Sequence, residues 1–346
     1  MSSIKHRIKW QLTFLSWRHR ISQVDAWHLQ YFQHRSKVRI ASKKRIFEYL
    51  KISQVDSIEK ESTSRVIVMH KNQFENDYVT GQRNQNYNEV MAKIEQLNQF
   101  VLLNKTWKQD IYYGFHQREC FDVCYAVGQA KAILVYLHAG YWQSRDKNQF
   151  CFIANHLAEL GYHIAIMNYP LCPEVSIEKI RNSLSYGLLT VKTYLNDPSK
   201  NLPMYICGHS AGAHLTTELV LNAKEGVKDQ LNIKGVIPIS GIYDLEPLIS
   251  TSLNMNIKLN RIQARNNSPI LRVAKDLVPA EFFVGNEETP AFIQQSQEMK
   301  NQWELNGNSA NFTILKNSDH FSLLFHFLED GEIVKSIERL YGSTTI

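Results

Sequence analysis

The sequence predicts an α/β fold: a doubly wound, mostly parallel sheet with helices on both faces and a small cap insertion. Three observations carry this expectation. From about residue 131 onward, short apolar runs alternate with segments whose apolar residues recur at helical spacing. The runs "AILVYL" and "IKGVIPIS" are nearly continuously apolar, as strands covered on both faces require. A G-x-S-x-G string, "GHSAG", stands at a strand-to-helix junction.

The elements follow in order. "AILVYL" reads as a strand, and "NQFCFIANHLAELG" as a helix closed by Gly161. "YHIAIMNYP" is a strand; "SIEKIRNSLSYGLLTVKTYL" is a helix with Ser176 as N-cap and Glu178 in its first turn, where the helix dipole favours an acid. "MYICG" is a strand, "AGAHLTTELVLNAK" a helix and "IKGVIPIS" a strand. A cap insertion is expected next. "AEFFVG", the helix "PAFIQQSQEMKNQWELNG", the strand "NFTILK" and an apolar helix "FSLLFHFL" complete the series. Strands alternating with helices imply parallel β-α-β units.

The chain has 346 residues, 44% hydrophobic and 21% charged, which suits a soluble globular protein with a substantial core. No apolar run approaches the roughly 18 residues of a membrane span. Five cysteines, Cys120, Cys124, Cys151, Cys172 and Cys207, are odd in number and scattered, so a reducing, cytoplasmic compartment fits better than a secreted disulfide framework. Cys120 and Cys124 lack the second ligand pair of a zinc site.

Charge divides the chain. Residues 1–68 carry 14 Lys+Arg against 5 Asp+Glu, a net +9, and the remainder 25 against 28, a net −3. This basic N-terminal extension has no Gly, no Pro and no acid before Asp25. It admits three explanations: an organelle transit peptide, a contact of Lys43, Lys44 and Arg45 with nucleic acid or an anionic membrane, or a segment outside the mature protein, with Met69 opening the catalytic domain 69–346. No nucleic acid is expected for the catalytic domain. "ISQVD" occurs at 21–25 and 52–56, but its flanks do not match and no repeat is assigned.

In "YICGHSAGAHL", a sharp turn would lift the Ser210 hydroxyl above the sheet edge, with Gly208 and Gly212 relieving crowding between strand and helix. The Ala211 N–H would point into the same space from the helix N-terminus. A bare serine N-cap could produce the same string. His209, adjacent to the turn, faces elsewhere and is expected to pack locally.

A serine hydroxyl needs a base, held in one tautomer by a carboxylate. In the chain order serine, acid, histidine, the candidate bases are His214, His320 and His326. His214 lies one turn along the helix, and His326 lies in the apolar "FSLLFHFL". His320, in "KNSDHFSLL" after the last strand, is best placed. For the acid, Glu287 and Glu288 in "NEETP" compete with Asp244 in "SGIYDLEPL"; Glu288 is chosen, and Asp244 reads better as a loop brace. Asp319, beside His320, is poorly placed for the same imidazole. A second oxyanion donor is expected after an earlier strand, where "HAGYW" offers Gly140 beside Ala139, two small residues that let the backbone come close. Tyr141 and Trp142 could line an aromatic slot, or Trp142 could prop the loop from below.

"HAGYWQSRDK", "NYPLCPEVSI", "GHSAGAHL", "SGIYDLEPL", "GNEETPAFIQQS" and "DHFSLL" occur in the order found in kynurenine formamidases (arylformamidases) and related short-chain esterases of the α/β-hydrolase superfamily, which the chain resembles over roughly residues 75–340. The resemblance implies an α/β-hydrolase fold with Ser210 as nucleophile, Glu288 as acid, His320 as base, and Gly140 and Ala211 as oxyanion donors. It implies N-formylkynurenine cleavage to kynurenine and formate, as in tryptophan catabolism, with a carboxylesterase on short acyl esters as the alternative and a non-catalytic binding module as a third class. No metal or organic cofactor is needed. The partner is a small acyl or formyl substrate, and a homodimer is left open. Two departures stand out. Ala139 replaces the first glycine of the family's His-Gly-Gly loop and would be strained at positive φ. Glutamate takes the place of the formamidases' usual aspartate.

Overall fold

Strands β1 (Trp107–Tyr112), β2 (Cys120–Cys124), β3 (Ala132–Leu137), β4 (Tyr162–Met167), β5 (Met204–His209), β6 (Ile233–Ile239), β7 (Ala280–Gly285) and β8 (Ala310–Leu315) form one sheet of order β1-β2-β4-β3-β5-β6-β7-β8. They belong to a computed structural model that describes residues 73–79, 84, 86–195, 201–223 and 227–344. The basic extension 1–68, with Lys43, Lys44 and Arg45, lies outside the described residues. From β4 and β3 through β8 every pairing is parallel; β1 with β2 and β2 with β4 are antiparallel. The sheet is therefore mixed and flanked by helices, the α/β-hydrolase architecture, with a cap insertion between β6 and β7.

Alternate residues of each central strand feed two separate cores. Ile133, Val135 and Leu137 of β3 face one layer and Leu134 and Tyr136 the other. Helices α1 (Tyr87–Asn104), α2 (Ala154–Glu159), α3 (Ile177–Tyr194), α4 (Ala211–Leu221), α5 (Pro290–Leu305) and α6 (Glu332–Thr344) supply the covers. Buried residues of α3, α4 and α5 join the first core; those of α1, α2 and α6 join the second. All six residues of β3 and of β5 are buried, which explains the uninterrupted apolar run of β3 and the apolar start of β5.

The sequence did not announce β1 and β2. β1 reads "WKQDIY", without a strand period, and its register slips between Lys108 and Ile111, where Asp110 takes φ 53°. β2 carries a charge, Asp122, into a fully buried strand. The charge is tolerated because Lys147 Nζ lies 2.8 Å from Asp122 Oδ1 and 2.9 Å from Asp110 Oδ1.

Two predicted helices are broken. "NQFCFIANHLAELG" is a 3-10 segment, Lys147–Ile153, followed by α2. Asp146 and Gln149 cap its start reciprocally, and the Phe152 N–H donates to Asn98 Oδ1 at 2.9 Å instead of continuing an α ladder. "FSLLFHFL" is likewise a 3-10 segment, Ser322–Phe327, ahead of α6. Ser176 caps α3 as expected, its Oγ accepting from Lys179 N at 3.3 Å. Among the described residues, no helix is long and apolar enough to cross a membrane.

Candidate active site

Parallel strands deliver the turns after β3, β5, β6, β7 and β8 to one edge of the sheet. Ser210 directly follows β5 and holds φ 57° and ψ −116°, a region that L-residues rarely occupy. Two bonds over-determine the turn: Ser210 N donates to Ile239 O at 2.8 Å, and His214 N to Ser210 O at 3.1 Å. The flanking glycines are steric necessities. A Cβ on Gly208 would stand 2.2 Å from Gly212 O, and one on Gly212 would stand 2.0 Å from Leu137 O. Ala211 opens α4, so its N–H has no intrahelical acceptor.

His320 and Glu288 meet at the same edge. His320 Nδ1 lies 2.6 Å from Glu288 Oε2, with 5% and 1% of the two side chains exposed. This contact directs the Nδ1–H toward the carboxylate and leaves Nε2 as the free ring nitrogen. His209, one residue before Ser210, sets its ring 4.7 Å from that of His320, which places His320 beside the β5 turn. Glu288 Oε1 accepts from Gly285 N at 2.9 Å and from the Ser240 hydroxyl. Asp319 holds the turn that presents His320, its Oδ1 accepting from Phe321 N at 2.9 Å and Ser322 N at 2.8 Å.

The other candidates lie elsewhere. Glu287 is exposed, and Asp244 accepts from Glu246 N at 3.0 Å in a local turn. His214 is buried along α4, its Nε2–H donating to Asn267 O at 2.7 Å. His326 Nε2 lies 3.3 Å from Ser318 Oγ.

In the loop after β3, Gly140 adopts φ +130°, and a Cβ there would lie 2.1 Å from Ser144 O. Its carbonyl accepts from Gln143 N, Ser144 N and Ser144 Oγ, each at 3.0 Å, while its N–H has no backbone acceptor among the described residues. Ala139 is not at positive φ. The left-handed side-chain-bearing residues of the loop are Tyr141, Trp142 and Arg145, at 51°, 60° and 75°. Ala139 is therefore unstrained, and the loop carries its strain beyond Gly140.

His138 braces this loop from inside. Its Nδ1–H donates to Ala139 O at 2.7 Å and its ring stacks on Tyr169 at 4.3 Å, while the Tyr169 hydroxyl donates to His138 O at 2.8 Å. Burial pushes its pKa down to about 4, so it is neutral near pH 7. Arg118, which the sequence did not mark, ties the surround together through Tyr169 O, Arg145 O, Asn168 Oδ1 and Asp146 Oδ2. No motif encodes that role, because its acceptors are scattered over the chain. Trp142 has no exposed surface and packs edge-on to His214 at 4.9 Å, a prop beneath the loop; Tyr141 is half-buried and bonds to Tyr78 O. Segment 73–79 and the cap adjoin the same edge. Thr289 Oγ1 donates to Asp77 O at 2.7 Å, Ser252 N to Glu75 Oε2 at 2.7 Å, and Asn256 Nδ2 to Gln143 Oε1 at 2.7 Å.

The BD-FAE family model matches residues 124–303, just over half of the chain. A kynurenine formamidase from Salmo salar is 30% identical over 247 residues, which is 68% of this chain and 82% of that protein. One from Drosophila melanogaster is 30% identical over 238 residues, 64% and 78% of the respective chains. A crystal structure from Silicibacter sp. TM1040, with a provisional thioesterase designation, superposes with a TM-score of 0.68 at 26% identity, covering 76% of this chain and 98% of that one.

Proposed function

The chain belongs to the BD-FAE family and has the α/β-hydrolase fold of short-chain esterases, and from that premise we propose that it hydrolyses short-chain acyl esters through an acyl-enzyme on Ser210. The observation that carries the reading is the His320 Nδ1 to Glu288 Oε2 contact of 2.6 Å at the sheet edge where Ser210 sits in its strained turn. Ser210 Oγ attacks the acyl carbonyl as its proton passes to His320 Nε2. The N–H groups of Gly140 and Ala211 receive the oxyanion, and Glu288 stabilises the imidazolium. His320 then protonates the leaving alkoxide. Finally it takes a proton from water, which attacks the acyl carbon, and returns that proton to Ser210 Oγ as the acid departs. A nucleophile only 1% exposed favours small acyl groups, and Tyr141 is the aromatic of the loop with surface to offer a leaving group.

A second reading, cleavage of N-formylkynurenine, is favoured by the two kynurenine formamidases at 30% identity. Formyl is the smallest acyl group, and the same proton transfers would release an arylamine in place of an alkoxide.

Purified protein assayed on p-nitrophenyl acetate and on N-formylkynurenine tests both. Ester turnover should fall by about 10³-fold or more in Ser210→Ala. Undiminished ester turnover in that variant would overturn the assignment, and formamide turnover exceeding ester turnover would move the substrate to the second reading.

A further inference from the structure

The string "SGIYDLEPL" after β6 has no part in the proton transfers above: Asp244 turns into its own loop, and the backbone N–H groups of Tyr243 and Asp244 both donate to Gln295 Oε1 at 2.8 Å. Its first residue stands out. Ser240 is fully buried, holds φ 49°, and is pinned by its N–H to Phe283 O at 2.8 Å. A serine kept at positive φ where glycine would be relaxed retains its side chain for a reason. That side chain donates to Glu288 Oε1, the oxygen that also receives Gly285 N at 2.9 Å. Two donors thus saturate one carboxylate oxygen and leave the other, Oε2, to His320 Nδ1.

We infer that Ser240 is a positioning residue for hydrolysis: its buried hydroxyl fixes the rotation of the Glu288 carboxylate so that a single oxygen faces the base. The inference rests on the roles of Glu288 and His320 given above. Glutamate makes such a device necessary, because it has one more rotatable bond than aspartate and its carboxylate must be held at both ends to keep a 2.6 Å contact. Two titratable groups against the pair, His209 and Tyr243, are uncharged, while Asp319, next to His320, is held as a carboxylate by the Phe321 and Ser322 N–H groups. Burial lowers the pKa of His209, which also feels Arg145, and raises that of Tyr243.

The test compares Ser240→Ala, Ser240→Gly and Ser240→Cys in the full chain with p-nitrophenyl acetate. Losing a hydrogen bond to a charged group should lower kcat about tenfold or more in the Ala and Gly variants, with KM changed less than about twofold. Cys, a weak donor at the same position, should fall between them and the parent. Without the hydroxyl the carboxylate is free to rotate and stabilises the imidazolium less, so the acid limb of the kcat/KM profile should move to lower pH. In a Glu288→Gln background, Ser240→Ala should cost little more. A Gly variant with parental kcat and acid limb would overturn the inference, because only backbone strain would then have mattered. An Ala loss of equal size in the Glu288→Gln background would also overturn it, since the role would be structural. Should Ala and Gly fail to fold, the Cys variant decides alone: parental kcat and acid limb overturn the inference, and intermediate loss with the downward shift supports it. Failure of the underlying reading shows separately, as ester turnover surviving Ser210→Ala.

Discussion

The His209 imidazole lies against that of His320 with ring centroids 4.7 Å apart and planes tilted by 42°, and Phe292 meets the same ring at 4.7 Å. His209 is wholly buried, and its pKa is lowered by that burial and by the nearby His320, so it presents a neutral aromatic face to His320. His209→Ala should therefore leave a gap beside His320 and lower kcat about tenfold, whereas His209→Phe, which refills the volume, should cost less. Steady-state kinetics with matched unfolding curves would check the order; an Ala variant faster than Phe would contradict the packing role.

Two substitutions in the loop after β3 should have opposite outcomes. Gly140→Ala places a Cβ 2.1 Å from Ser144 O at φ +130°, so the loop must move and its N–H with it. Turnover should drop about 10²-fold or more, the scale of losing one oxyanion donor. Ala139→Gly, at a residue without positive φ, should leave kcat unchanged and cost at most about 1 kcal/mol of stability through the freer unfolded chain. Equal kinetic losses in the two variants would contradict this division of roles.

Acid should weaken the fold before it reaches the carboxylates. Folded His138 has a pKa of about 4, and burial also lowers those of His209 and His214, while an unfolded histidine titrates near 6.5. Between those values the unfolded chain binds protons that the folded one refuses, so stability is full above about pH 6.5 and falls as pH drops toward 4. For His138 alone the loss is on the order of 3 kcal/mol. Asp146 and Asp319 have carboxyl pKa values below their ordinary 3.8 despite burial, because backbone N–H groups bond them, so their contribution is lost only at lower pH. Urea midpoints at pH 7, 5.5 and 4 should decline in that order, and a flat series would rule out the buried neutral histidines as its source.

Much of the architecture was legible because its signals are local. β3, β5 and β6 are buried on both faces and read as apolar runs; Gly208, Ser210 and Gly212 stand within one turn, where spacing alone encodes a steric demand. β1 and β2 were illegible for the converse reason. Their stability depends on a bulge at Asp110 and on Lys147, 25 residues from its partner Asp122.

By itself the sequence determined the parallel α/β core, the turn at Ser210 and a short set of acids and bases, because periodicity and glycine spacing act over a few residues. Only the tertiary structure decided among them. It set Glu288 against His320 across 32 positions and left Asp244 in its own loop. It kept Ala139 out of positive φ and put the strain beyond Gly140, and it turned Ser240 onto Glu288. Each of these depends on strands distant in the chain ending at one sheet edge, where an ångström of backbone placement selects which side chains touch.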